Sequence, residues 1–137
     1  MIGNDIIQQA LVSKANSTPN IQSSLPSGTI LEANVQTTDF TYPCARIQVE
    51  SQIDIGEMNT HCPSQVDWSF YIYSEKASSR ECNQIATKFT DSFRGISFGL
   101  HGVKFSRIRI LENIPAISED ERTWRAQVRC QSVVHNA

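Results

Sequence analysis

The chain is 137 residues long, enough for one domain with a real core and no need of metal or disulfide staples. With 39% apolar and 19% charged residues and a net charge of -2, it is excluded as a binder held to nucleic acid by overall charge. Charge is uneven, however: residues 1–64 hold two Lys or Arg against six Asp or Glu, and residues 65–137 hold ten against eight, a split that marks either ordinary solvated surface or complementary patches between copies.

The opening "MIGNDIIQQALVSK" lacks the basic region and long apolar run of a signal peptide. Ile6, Ile7, Ala10 and Leu11 recur at helical spacing behind Asn4 or Asp5 as cap, which predicts a helix over residues 4–15. Thr18 before Pro19 predicts a second, very short helical turn, ended by Pro26 and Gly28. "TILEANVQ" alternates weakly and reads as a short strand whose place in a sheet is not fixed. "CARIQVESQI" alternates Ala45, Ile47 and Val49 against Arg46, Gln48 and Glu50, a half-buried strand. Residues 54–64 read as a polar loop.

Val66, Trp68, Phe70 and Ile72 then alternate with Asp67, Ser69, Tyr71 and Tyr73, giving a strand of period two. At Ser78 the period changes. Ser78 and Glu81 fit a capping box, and Cys82, Ile85, Ala86, Phe89 and Phe93 form one helical stripe ended by Gly95. "SFRGISFGLHG" reads as helix exit and turn. In "VKFSRIRILEN", Val103 and Phe105 have one parity and Ile108 and Ile110 the other, which predicts a one-residue β-bulge near Ser106. "RTWRAQVRCQSVV" places Trp124, Ala126, Val128 and Cys130 on one face and Arg125, Gln127, Arg129 and Gln131 on the other, the clearest strand in the chain.

The pattern predicts an α+β fold: two layers, a mainly antiparallel four-stranded sheet, and helices packed on one face. A helix between the second and third main strands is like the ferredoxin-like arrangement. One domain is expected over residues 1–137. No run reaches the roughly 20 apolar residues of a membrane span, so a cytoplasmic protein with reduced thiols is expected.

Candidate chemistry is sparse. His61 and Cys62 are adjacent, but a zinc site wants about four ligands, and Cys44, Cys82 and Cys130 make no Cys-x-x-Cys pair. Neighbours in sequence rarely hold a nucleophile and base in working geometry, and no third orienting group is evident. Asp39, Asp54, Glu57 and Glu75 fall in loops without a motif that fixes an acid/base pair. Neither an enzyme nor a cofactor, metal included, is therefore expected. Arg107, Arg109, Arg122, Arg125 and Arg129 leave open an alternative, a small nucleic-acid-binding domain using an arginine-rich sheet face.

The order "FTYPCARIQVE", "VDWSFYIYSEKASSRECNQIATKFTDSF", "KFSRIRILEN" and "RTWRAQVRCQSVV" resembles the tail terminator (tail completion) proteins of tailed bacteriophages, over roughly residues 4–134. The resemblance implies a structural protein of the virion, assembled in the host cytoplasm. It implies a homo-oligomeric ring, commonly a hexamer, at the head-proximal end of the tail tube. Its partners would be the tail tube protein and the head–tail connector or stopper, with DNA only as cargo in the lumen and no membrane. A ring needs two different patches that meet head to tail. The candidate interface residues are Asp54, Glu57, Met58, Asn59 and His61 of the loop, with Arg125 and Arg129.

Overall fold

The computed structural model describes residues 2–25, 30–32, 42–55, 63–76, 78–118 and 122–136. In chain order the elements are α1 (Asn4–Asn16), α2 (Pro19–Gln22), β1 (Ile30–Glu32), β2 (Cys44–Asp54), β3 (Ser64–Ser74), α3 (Arg80–Phe93), β4 (Phe98–Leu100), β5 (Val103–Phe105), β6 (Arg109–Ser118) and β7 (Trp124–Asn136). The strands form one sheet ordered β1-β2-β3-β7-β5-β4, and β6 pairs with β7 along the edge that β5 also uses. All pairings are antiparallel except β1 with β2.

The α+β class and the largely antiparallel sheet stand, but among the described residues the sheet has six strand positions, not four. One addition is β1, which finds its place parallel to Ala45–Ile47 of β2. The other is β4, in the stretch read as helix exit and turn. Leu100 pairs with Val103 across His101 and Gly102, whose φ values of 53° and 78° suit the tight turn that matches strand twist. Three residues are too few for alternation to reveal a strand. The expected loop over 54–64 is also shorter, because Asp54 pairs with Ser64 at the end of a continuous β2–β3 hairpin. β3, α3 and the β5–β6 line form a crossover with β7 inserted, which is one half of a ferredoxin-like arrangement. The β2–β3 hairpin replaces the other half.

The bulge near Ser106 is present. Phe105 pairs with Val134 and Arg109 with Gln131, so four steps on one strand span three on β7. The extra residue lets Val103, Phe105 and Ile108 all be buried despite their opposite parities.

The inward residues of β2, β3 and β7 share one core with both long helices. Phe70 lies at its centre, 4.8 Å from the rings of both Phe89 and Phe93 on α3. Trp68 meets Phe105 edge to face at 5.8 Å. Ile7, Ala10 and Leu11 of α1 are fully buried beside them.

Helix starts depart from expectation. α1 is capped by Gly3, with Asp5 in its first turn, where a carboxylate suits the dipole. Thr18 and Pro19 do open α2. For α3 the cap is Ser79, and the capping box does not form. Glu81 instead accepts a hydrogen bond from Ser74 at 2.9 Å, because the strand end lies within reach of its carboxylate.

Candidate interface

Alternation leaves a second sheet face that carries no helix among the described residues. Cross-strand pairing sets Asp67 beside Gln131, Ser69 beside Arg129, Tyr71 beside Gln127 and Tyr73 beside Arg125. Arg125 and Arg129 thus lie on the open face, as the sequence predicted, and Trp124 does not join them. Its indole turns aside and donates to the Lys76 carbonyl at 3.2 Å.

The face is a hydrogen-bonded polar layer. Gln127 donates to Ser69 Oγ at 2.9 Å, Gln131 donates to Asp67 at 3.0 Å, and Ser69 donates to Glu50. Ser69 is fully buried although it points outward, because these longer neighbours cover it. Arg129 donates to Glu112 at 3.2 Å, and its Nε lies 3.9 Å from Glu50. These half-exposed pairs each contribute about 0–1 kcal/mol, so their main effect is to fix side-chain geometry. Arg125 stacks 5.6 Å over the Tyr71 ring.

This geometry disfavours the arginine face as a nucleic-acid site. Arg129 is balanced by two carboxylates, and of the two tyrosines on the face Tyr71 is already covered by Arg125. A flat layer of Tyr, Arg and Gln is instead the composition of a protein–protein contact. Sequence reasoning placed the arginines but missed Glu50 and Glu112, whose roles depend on which strands become neighbours.

Of the loop residues, Asp54 is placed and exposed, and it accepts from Ser64 Oγ at 3.0 Å. The Ile55 amide donates to the Pro63 carbonyl at 3.2 Å, closing the base of the hairpin. Glu57, Met58, Asn59 and His61, with Cys62, lie outside the described residues. The structure therefore brings Arg125 and Arg129 together on β7 and sets Asp54 at the far end of β2.

Other chemistry-bearing groups are dispersed. Burial pushes the Cys44 and Cys82 thiols from 9.0 up to about 11 and raises Cys130 as well, which suppresses the nucleophilic thiolate. Ser13 Oγ meets His101 Nε2 at 3.0 Å, with no carboxylate orienting the other ring nitrogen among the described residues. A groove of about 630 Å³ runs along α3, and its Lys88 bonds to Ser23 and Ser24. No helix among the described residues is long and apolar enough to cross a membrane.

No family model matches the chain, and neither does any curated protein. Among solved structures, the fold is similar to a chain of the "Virion of native gene transfer agent (GTA) particle". The TM-score is 0.79 at 14% identity, over 95% of each chain. A second solved structure has a TM-score of 0.61 at 14% identity, over 100% of this chain and 97% of its own. At such identities the likeness is one of fold.

Proposed function

We propose that this chain is a non-catalytic structural subunit of a phage-like virion. It forms a ring, a hexamer, on the head-proximal end of the tail tube. The ring ends tube polymerisation and offers a surface to the head–tail connector. The observation that carries the proposal is the likeness of fold, nearly end to end, to a chain of a gene transfer agent virion. The resemblance of its sequence to tail terminators supports the position on the tube. A polar sheet face with no helix on it and a strand edge with no further strand, among the described residues, are features of a subunit that works through contact rather than through a cleft.

The test is capture of the purified chain by tail tubes and by connector complexes encoded beside it. Electron microscopy should show label only at tube ends, and tubes should stop lengthening once capped. A chain that binds neither tubes nor connector removes the proposal.

A further inference from the structure

Three arginines gather at one corner of the sheet. Arg94 follows α3, Arg107 sits in the break between β5 and β6, and Arg109 opens β6. All three are exposed, and none of their side chains makes a hydrogen bond or ion pair among the described residues. The corner is rigid. The Gly95 amide donates to the Ile108 carbonyl and the Ile108 amide to the Ile96 carbonyl, each at 2.9 Å. Ile108 is buried as an anchor, so the extra residue of the bulge turns Arg107 outward. Leu111, 38% exposed, lies next to this corner.

The opposite edge has the complementary chemistry. β1 covers only Ala45–Ile47, so β2 from Gln48 to Asp54 has no strand on its outer side among the described residues. Here Ile53 and Ile55, 55% and 50% exposed, flank the exposed carboxylate of Asp54.

The two edges lie at the same height. Asp54 pairs with Ser64, Ser64 with Val134, and Val134 with Phe105. Three rows along, Ser51 leads through Asp67 and Gln131 to Arg109. Three interstrand spacings, about 14 Å, separate the edges. A neighbour placed beside the sheet without rising along the strands sets its acidic edge against this basic corner. Rotation without rise is what a closed ring needs, whereas a rise would give an open helix.

We infer that the Ile53–Asp54–Ile55 edge of one copy docks on the Arg94–Arg107–Arg109 corner of the next, with Leu111 in the apolar part of the contact. The inference rests on the ring reading above and names its interface. The occupant is a second copy rather than a nucleic acid: the chain is net negative, its first 64 residues carry the acidic excess, and an apolar edge has no use for phosphate.

Charge swaps test it by sedimentation at low ionic strength. Asp54→Lys alone, and Arg107→Glu with Arg109→Glu in one chain, should each weaken self-association about tenfold or more. Mixed one to one, the two variants match acid to base at every contact and should recover near wild-type association in rings of even number. Unchanged circular dichroism and Tm show that both variants fold. A wild-type chain that stays monomeric at every concentration, variants that associate like wild type, or a mixture that does not recover overturns the inference. Self-association that obeys the swap in a chain binding neither tube nor connector keeps the interface and removes the virion reading. Capture by tubes that ignores the swap does the reverse.

Discussion

Phe70 shows how much a single residue does here. It is fully buried, contacts Phe89 and Phe93 from α3, and lies edge-on to Trp68 at 6.3 Å. Truncation to alanine removes the joint between sheet and helix, so Phe70→Ala should lower stability by about 3–5 kcal/mol in urea unfolding. The thiols give a second residue-scale expectation. Buried Cys44 and Cys82 keep their protons to about pH 11, whereas the unfolded chain releases them near 9.0. Above the unfolded value the native state therefore holds more protons, and their stabilising contribution is lost as pH rises through the folded value. Urea midpoints should fall between about pH 9 and about pH 11, and the fall should be shallower in Cys82→Ala. An identical slope in the variant would refute this account. Core identities such as Trp68 and Phe89 were legible in the sequence because burial sets the period of apolar residues. The cap of α3 was not, because Glu81 chooses among donors that only the folded strand end brings within reach.

At the scale of elements, the β5–β6 line carries the most information. Its change of parity was readable, and the structure explains it by one extra residue clamped between the end of α3 and β7. The Ser106 amide donates to the Val133 carbonyl at 2.9 Å, and Ser132 Oγ donates to the Ser106 carbonyl at 2.7 Å. Deleting Ser106 would equalise the strands and turn either Phe105 or Ile108 to solvent. Forfeiting that burial costs about 1.5–3 kcal/mol, which should appear as a lower urea midpoint with an unchanged m-value. β6 is also a long edge, yet it is poorly suited to adding strands. Its register slips between Ile110 and Glu112 and again between Ile114 and Ile117, Pro115 lacks an amide hydrogen, and the Ala116 amide is held by Asn83 at 2.8 Å. Among the described residues, β2 beyond Val49, whose amide donates to Gln8 Oε1 at 3.0 Å, carries no further strand and is the more open edge. β4 and the parallel placement of β1 escaped the sequence because short strands are defined by their neighbours, which local pattern does not encode.

For the whole molecule, assembly and folding separate along the β2–β3 hairpin. The core is built from α1, α3 and the inward faces of β2, β3 and β7, and it ends before the hairpin tip. The hairpin base is closed independently, by the Ile55–Pro63 backbone bond and the Ser64–Asp54 side-chain bond. Of the interface proposed from sequence, the arginines on β7 were legible because alternation fixes their face. Their pairing with Glu50 and Glu112 was not, because it follows from strand order. Replacing residues 56–62 by an Asn-Gly turn keeps the base and gives the strands a two-residue connection of suitable twist. The variant should retain its circular dichroism spectrum and lose less than about 1 kcal/mol of stability, as expected for changes away from the core. It should nevertheless fail to cap tail tubes, since the replaced residues adjoin in sequence the Ile53–Asp54–Ile55 edge inferred to meet the next copy. Loss of the cooperative unfolding transition would show instead that the hairpin tip is part of the fold. Normal capping would confine the contact to the rigid edges of the sheet, where the charge swap at Asp54, Arg107 and Arg109 measures it alone.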